Sequence, residues 1–127
     1  MKGLMLATAL AGLTATGIAA QEMLDVELMI AIDVAERQPV GEGTEFSSDV
    51  AELVAWTRVT GLADTTVRHV WRHQGHERLL ELTVGGSPWR TWSRKNIPAA
   101  WTGDWSVEVL DAQSNVLATA EFTVGGS

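Results

Sequence analysis

The chain contains no cysteine and no tyrosine. The first absence excludes disulfides, thiol catalysis and thiolate metal sites, so stability must come from packing and from the hydrogen-bond ladder of a sheet. Basic residues are also scarce: nine Lys and Arg stand against sixteen Asp and Glu, for a net charge of −7. Sequence-independent nucleic-acid binding is mostly phosphate neutralisation, so an acidic chain is a poor candidate for it. The same balance argues against general adhesion to anionic lipid. No Gly-x-Ser-x-Gly elbow and no glycine-rich phosphate loop occur. Gly41-Glu42-Gly43 reads as a turn, since no helical pattern follows it. No pair among the scattered acids is singled out for hydrolysis, so catalysis is the weaker expectation, and no cofactor or metal is expected.

Long apolar runs are absent except at the start. Met1-Lys2 is a short positive beginning, Leu4 to Leu13 is apolar and uncharged, and Thr14 to Ala20 supplies small residues. Ile18-Ala19-Ala20 before Gln21 reads as a cleavage site for an export signal, with Gly17-Ile18-Ala19 as a neighbouring one. The apolar run is short of the roughly 20 residues that a spanning helix needs, which favours cleavage over an uncleaved anchor. The expected organisation is a signal peptide over residues 1–20 and one domain over 21–127, with no membrane span after cleavage. Export to the periplasm is the expected address, with secretion or anchoring by the uncleaved signal as alternatives.

The remainder is a series of short alternating runs separated by turn residues, the pattern of one all-β domain. Val26 to Val34 places Leu28, Ile30, Ile32 and Val34 on one side and is followed by the breaker Pro39-Val40-Gly41-Glu42-Gly43. Glu52 to Thr60 turns Leu53, Ala55 and Val59 one way and Trp56 and Arg58 the other. Thr65 to His73 and Arg78 to Val84 form a hairpin around Gln74-Gly75. Trp89 to Arg94, Trp105 to Leu110 and Leu117 to Val124 follow. About seven strands of this kind predict a single antiparallel β-sandwich, immunoglobulin-like, with a small β-barrel as the alternative of identical period.

What the chain does have is a concentration of rings and cations. The stretch from His69 to Trp105 holds five of the six tryptophans, all three histidines and the run Arg90, Arg94, Lys95. Trp71 shares its parity with Val67, and Trp105 with Val107 and Val109, so both belong to a core. Trp56 and Trp92 share parity with arginines and suit an exposed or groove-lining face, or cation–π stacking. Arg90, Arg94 and Lys95 suit a carboxylate or phosphate group, with Ser93 adding a hydroxyl. The alternative for that run is pairing with the chain's own acids. His69 and His73 lie about 13 Å apart on a regular strand, too far to share one metal. His73 and His76 flank the hairpin and need a third ligand, such as Glu77, to make a site.

Taken together, Pro39-Val40-Gly41 with Phe46, Ala55-Trp56-Thr57-Arg58-Val59, His69-Val70-Trp71, Trp89-Arg90-Thr91-Trp92-Ser93-Arg94-Lys95 and Trp101-Thr102-Gly103-Asp104-Trp105 resemble a bacterial family catalogued as domain of unknown function 2914. The resemblance runs from about Val34 onwards. It implies an exported or membrane-associated domain with a compact β fold and brings no reaction with it. It directs attention to His69, Trp71, Arg90, Ser93, Lys95, Trp101 and Trp105.

The expected function is a non-catalytic binding or protein-interaction module. Its ligand-binding residues are Arg90, Trp92, Ser93, Arg94, Lys95, Trp101 and His69. Its partner is a cell-envelope protein, a saccharide or an anionic small molecule. The alternative is a small periplasmic metal-binding protein or hydrolase centred on His69, which requires a concave pocket against that side chain.

Overall fold

The computed structural model describes residues 22–125, so the expected signal segment lies outside the described residues. The described chain is all strand and turn. Its elements are β1 (Asp25–Ala31), β2 (Asp33–Ala35), β3 (Gln38–Val40), β4 (Glu45–Phe46), β5 (Glu52–Thr60), β6 (Thr65–His73), β7 (His76–Val84), β8 (Trp89–Asn96), β9 (Gly103–Leu110) and β10 (Val116–Val124). Strands β1-β5-β8 make a three-stranded sheet, β4-β10-β9-β6-β7 a five-stranded sheet, and β2-β3 a separate hairpin. Both larger sheets have free ends in strand order, so neither closes into a barrel among the described residues.

Alternation along each strand decides what faces inward. Leu53, Ala55, Thr57 and Val59 on β5 and Val67, His69, Trp71 and His73 on β6 are buried. Ile30, Leu53 and Ala55 from the three-stranded sheet pack with Trp71, Trp105, Val107 and Phe122 from the five-stranded one. A second cluster, Val59, Val67, Val84 and Val109, fills the opposite end of the same interior. Trp71 meets Trp105 and Phe122 edge-on, with ring centroids 6.5 Å and 6.2 Å apart. Aromatic pairs in such geometry add about 0.5–1.5 kcal/mol each beyond the area they bury.

Two expectations about strands are corrected. The first run does not continue to Val34: β1 stops at Ala31, and Ile32 is 49% exposed although Ile30 on the same parity is 3% exposed. The Ile32 amide bonds to the Val40 carbonyl, and the Gly43 amide to the Ile30 carbonyl. These bonds turn the chain out of the sheet and fold β2-β3 back over it. The sheets are also not wholly antiparallel. β4 pairs in parallel with β10, Val124 facing Phe46. The chain leaves the three-stranded sheet after β1, makes the β2-β3 hairpin, then crosses to the five-stranded sheet and meets β10 in the same direction. This buries Phe46 against Phe122, with centroids 5.9 Å apart.

The core makes a direct prediction. Leu53→Ala, at a position with no exposure, should cost about 2–5 kcal/mol in urea unfolding. Leu79→Ala, at a side chain 49% exposed, should stay within about 0.5 kcal/mol. Equal effects of the two substitutions would contradict the packing described.

Candidate functional site

The basic run of β8 does not form one surface. Cross-strand partners point to the same side of a sheet, and β5 pairs Leu53 with Lys95, Ala55 with Ser93, Trp56 with Trp92 and Arg58 with Arg90. Leu53 and Ala55 are core residues, so Ser93 and Lys95 turn inward between the sheets. Arg90, Trp92 and Arg94 turn to the outer face. The seven residues expected to bind a ligand are thereby divided among three environments.

The first environment is the sealed interior. His69 is fully buried and Ser93 is 5% exposed. The His69 ring bonds Thr57 Oγ1 through Nε2 and Ser93 Oγ through Nδ1, each at 2.7 Å. Ser93 Oγ also accepts the indole N–H of Trp71 at 3.0 Å. This chain joins β6 of one sheet to β5 and β8 of the other. Burial pushes the His69 imidazole down to about 4 from its ordinary 6.5. A neutral ring has one N–H and one lone pair, which suits a hydroxyl on either side. His69 lines none of the cavities found among the described residues. No group of three or more His, Asp or Glu among the described residues is arranged to hold a metal. The reading centred on His69 required an adjoining pocket and a carboxylate. Instead the ring is held by two hydroxyls inside the core.

The second environment is a pocket of about 210 Å³ where β6 and β7 turn. Gln74 (φ 43°) and Gly75 (φ 87°) make a two-residue hairpin turn with both residues left-handed. That geometry matches the twist of the flanking strands. It sets His73 opposite His76 and Trp71 opposite Arg78. Trp101, on the loop before β9, stacks on His76 at 4.1 Å and on His73 at 5.4 Å between centroids. Trp105 donates its indole N–H to the Trp101 carbonyl at 2.9 Å, which fixes the loop. Lys95 brings its ammonium to 5.3 Å from the Trp101 ring and 5.6 Å from the Trp105 ring. Partial burial, and then the repulsion of Arg78, lower the Lys95 pKa. Glu77, the pocket's carboxylate, is tied to Arg72 at 2.8 Å. Lys95 and Arg78 therefore face the pocket without an acidic partner among the described residues.

Of the expected residues, Lys95 and Trp101 are in this pocket. His73, His76 and Arg78 were not expected there. The signal for them was present: a two-residue turn at Gln74-Gly75 obliges His76 and Arg78 to share a face with His73 and Trp71.

The third environment is the outer face of the three-stranded sheet. Arg94 lies between Asp33 at 3.4 Å and Glu52 at 3.3 Å, so its charge is met internally. Trp56 is only 3% exposed although it points away from the core, because the β2-β3 hairpin covers it. The cation beside Trp92 is Arg37, at 6.0 Å from the ring centroid, and not one of its strand neighbours.

The buried histidine carries a pH prediction. Below pH 6.5 the unfolded chain takes up a proton at position 69 that the folded protein refuses until about pH 4. Its contribution to stability is therefore complete above pH 6.5 and is lost as the pH falls through that window. Between pH 8 and pH 5 the loss should be about 2 kcal/mol by proton linkage. His69→Gln should remove this part of the pH dependence in denaturant titrations. A variant with the same pH profile as the parent would show that His69 is not sealed.

No curated protein matches the chain. Among solved structures it is similar to β-glucosidases from three organisms. The Listeria innocua enzyme, in complex with glucose, matches with TM-score 0.40 and 11% identity over 81% of this chain and 16% of its own. The Kluyveromyces marxianus enzyme matches with TM-score 0.40 and 12% identity over 69% and 15%. The Bifidobacterium adolescentis GH3 enzyme matches with TM-score 0.37 and 14% identity over 83% and 17%. The chain thus spans about one sixth of the length of these enzymes, and likeness at this level carries no argument about activity. A family model described as "Protein of unknown function (DUF2914)" matches residues 64–124, from the turn before β6 to the end of β10. That segment includes the blocks at His69, Trp89 and Trp101 that carry the resemblance, whereas those at Pro39, Phe46 and Ala55 precede it. Over residues 64–124, which contain the whole of the ring-and-cation pocket, the chain is similar to the DUF2914 family.

Proposed function

We propose that this protein is an exported, non-catalytic binding module whose ligand presents an anionic group to the pocket of Lys95, Arg78 and Trp101. One observation carries the reading: two cations without acidic partners share a ring-lined pocket in a protein of net charge −7. Holding two like charges side by side is unfavourable, and an anion between them relieves it. The indoles of Trp101 and Trp105 add flat apolar surface beside the charges. An acidic saccharide, a cell-wall fragment or an acidic peptide side chain offers both features. The domain proposed is residues 21–127, an immunoglobulin-like sandwich, and the signal-like residues 1–20 support a periplasmic address.

A thermal-shift screen against acidic glycans, cell-wall fragments and anionic metabolites tests this, because a ligand of the folded state raises Tm by mass action. Lys95→Ala or Trp101→Ala should weaken a hit about tenfold or more. Arg94→Ala should change it little, since Asp33 and Glu52 already compensate that charge. Hits unaffected by Lys95→Ala, or no hit in any class, would remove the reading.

A further inference from the structure

A second cavity, of about 650 Å³, lies on the outer face of the three-stranded sheet beneath the β2-β3 hairpin. Trp56, Met29, Pro39 and Pro88 supply its apolar surface, and Arg37 and Arg90 reach it from the hairpin tip and from β8. It shares no lining residue with the pocket that holds Lys95.

Arg37 is placed there at some cost. Glu36 and Arg37 form the hairpin turn with φ of 52° and 65°, a left-handed conformation that is uncommon for residues other than glycine. The tip is held by a buried anchor. The indole N–H of Trp56 donates to the Arg37 carbonyl at 3.0 Å. The Arg37 guanidinium stands 6.0 Å from the centroids of both Trp89 and Trp92. It makes a long contact, 3.4 Å, to the Arg90 carbonyl. Two guanidinium-bearing residues are thus held side by side. Neither forms an ion pair among the described residues.

The rest of the lining narrows the ligand. Glu27 is committed to Arg58 at 2.9 Å, and Glu42 stands in the cavity without such a pairing. A free carboxylate in the lining repels a polyanion and tolerates a single negative charge directed at the arginines. A guanidinium fork matches a carboxylate geometrically. Met29 and the two prolines suit a flat or apolar body behind that carboxylate.

We infer that this groove is a second, independent binding site for a monocarboxylate carried on an aromatic or apolar body. Arg37 and Arg90 receive the carboxylate, and Met29, Pro39 and Pro88 receive the body.

The test is a titration of the full chain with benzoate, followed through the indole N–H resonances. The Trp56 signal should shift saturably, because its proton bonds the carbonyl of the residue that meets the ligand, while those of Trp101 and Trp105 stay in place. Benzyl alcohol, the neutral analogue, and citrate, the polyanion, should each bind about tenfold more weakly or worse. Arg90→Ala and Arg37→Gln should both weaken benzoate by a similar factor. Arg90→Ala leaves the hairpin turn untouched, so it decides the matter if the change at Arg37 disturbs folding. Four results would overturn the inference: no saturable shift at Trp56, equal binding of benzyl alcohol, stronger binding of citrate, or a benzoate shift confined to Trp101 and Trp105. The last would place the anion in the Lys95 pocket and leave that proposal standing alone. A shift at Trp56 with no ligand found for the Lys95 pocket would do the reverse.

Discussion

The two sheets are joined in the core by one hydrogen-bonded chain, Thr57–His69–Ser93–Trp71. Its members are buried, and each polar side chain is met by another. In an interior of low polarity an unpaired hydroxyl or indole N–H is costly, so the arrangement is stable only in one relative placement of the sheets. That placement puts Trp71 against Trp105 and Phe122 and brings the end of β8 over the β6-β7 turn. The position of the Lys95 side chain therefore follows from a polar contact deeper in the core, two residues earlier on the same strand. The same contact withdraws His69 from chemistry. Its ring is neutral, bonded at both nitrogens and sealed from solvent.

Around this core the protein separates its cationic groups by strand alternation. One residue of β8 turned inward, Lys95, reaches the ring cluster at the sandwich end. Those turned outward, Arg90 and Arg94, meet the hairpin and the acids around it. A stretch that is contiguous in sequence serves two surfaces, and each is completed from elsewhere: Arg78 and Trp101 for one, Arg37 and Trp56 for the other. In an acidic protein these are places where positive charge is not neutralised internally. They are the places at which anionic ligands are proposed to bind.

Much of this was legible in the sequence. Alternation located β5 through β10 and placed Leu53, Ala55, Val59, Trp71 and Val107 inward, because a half-buried strand writes its burial in a period of two. The same rule failed at Ile32. Apolar parity continued through it, but backbone bonds to Val40 bent the chain there. No side-chain pattern encodes a bend of that kind. Phe46 resembled a family block, yet its parallel pairing with β10 depends on a contact about 80 residues away, beyond any local signal. The parity of Trp56 with Arg58 points to an exposed or groove-lining ring; it borders a cavity but is nearly fully covered, not exposed. The covering hairpin turns on Glu36-Arg37, two residues whose composition does not announce a left-handed turn.

The amino-acid order alone determined the strand class, the turn at Gln74-Gly75, the inward face of each long strand and the reliance on packing in place of disulfides. These depend on local sterics and on hydrophobic period, which are properties of short stretches. The tertiary structure alone decided which cations lack acids, which rings stack and which histidine is sealed. Those are matters of distance between residues far apart in the chain, set only when two sheets meet and exclude water between them.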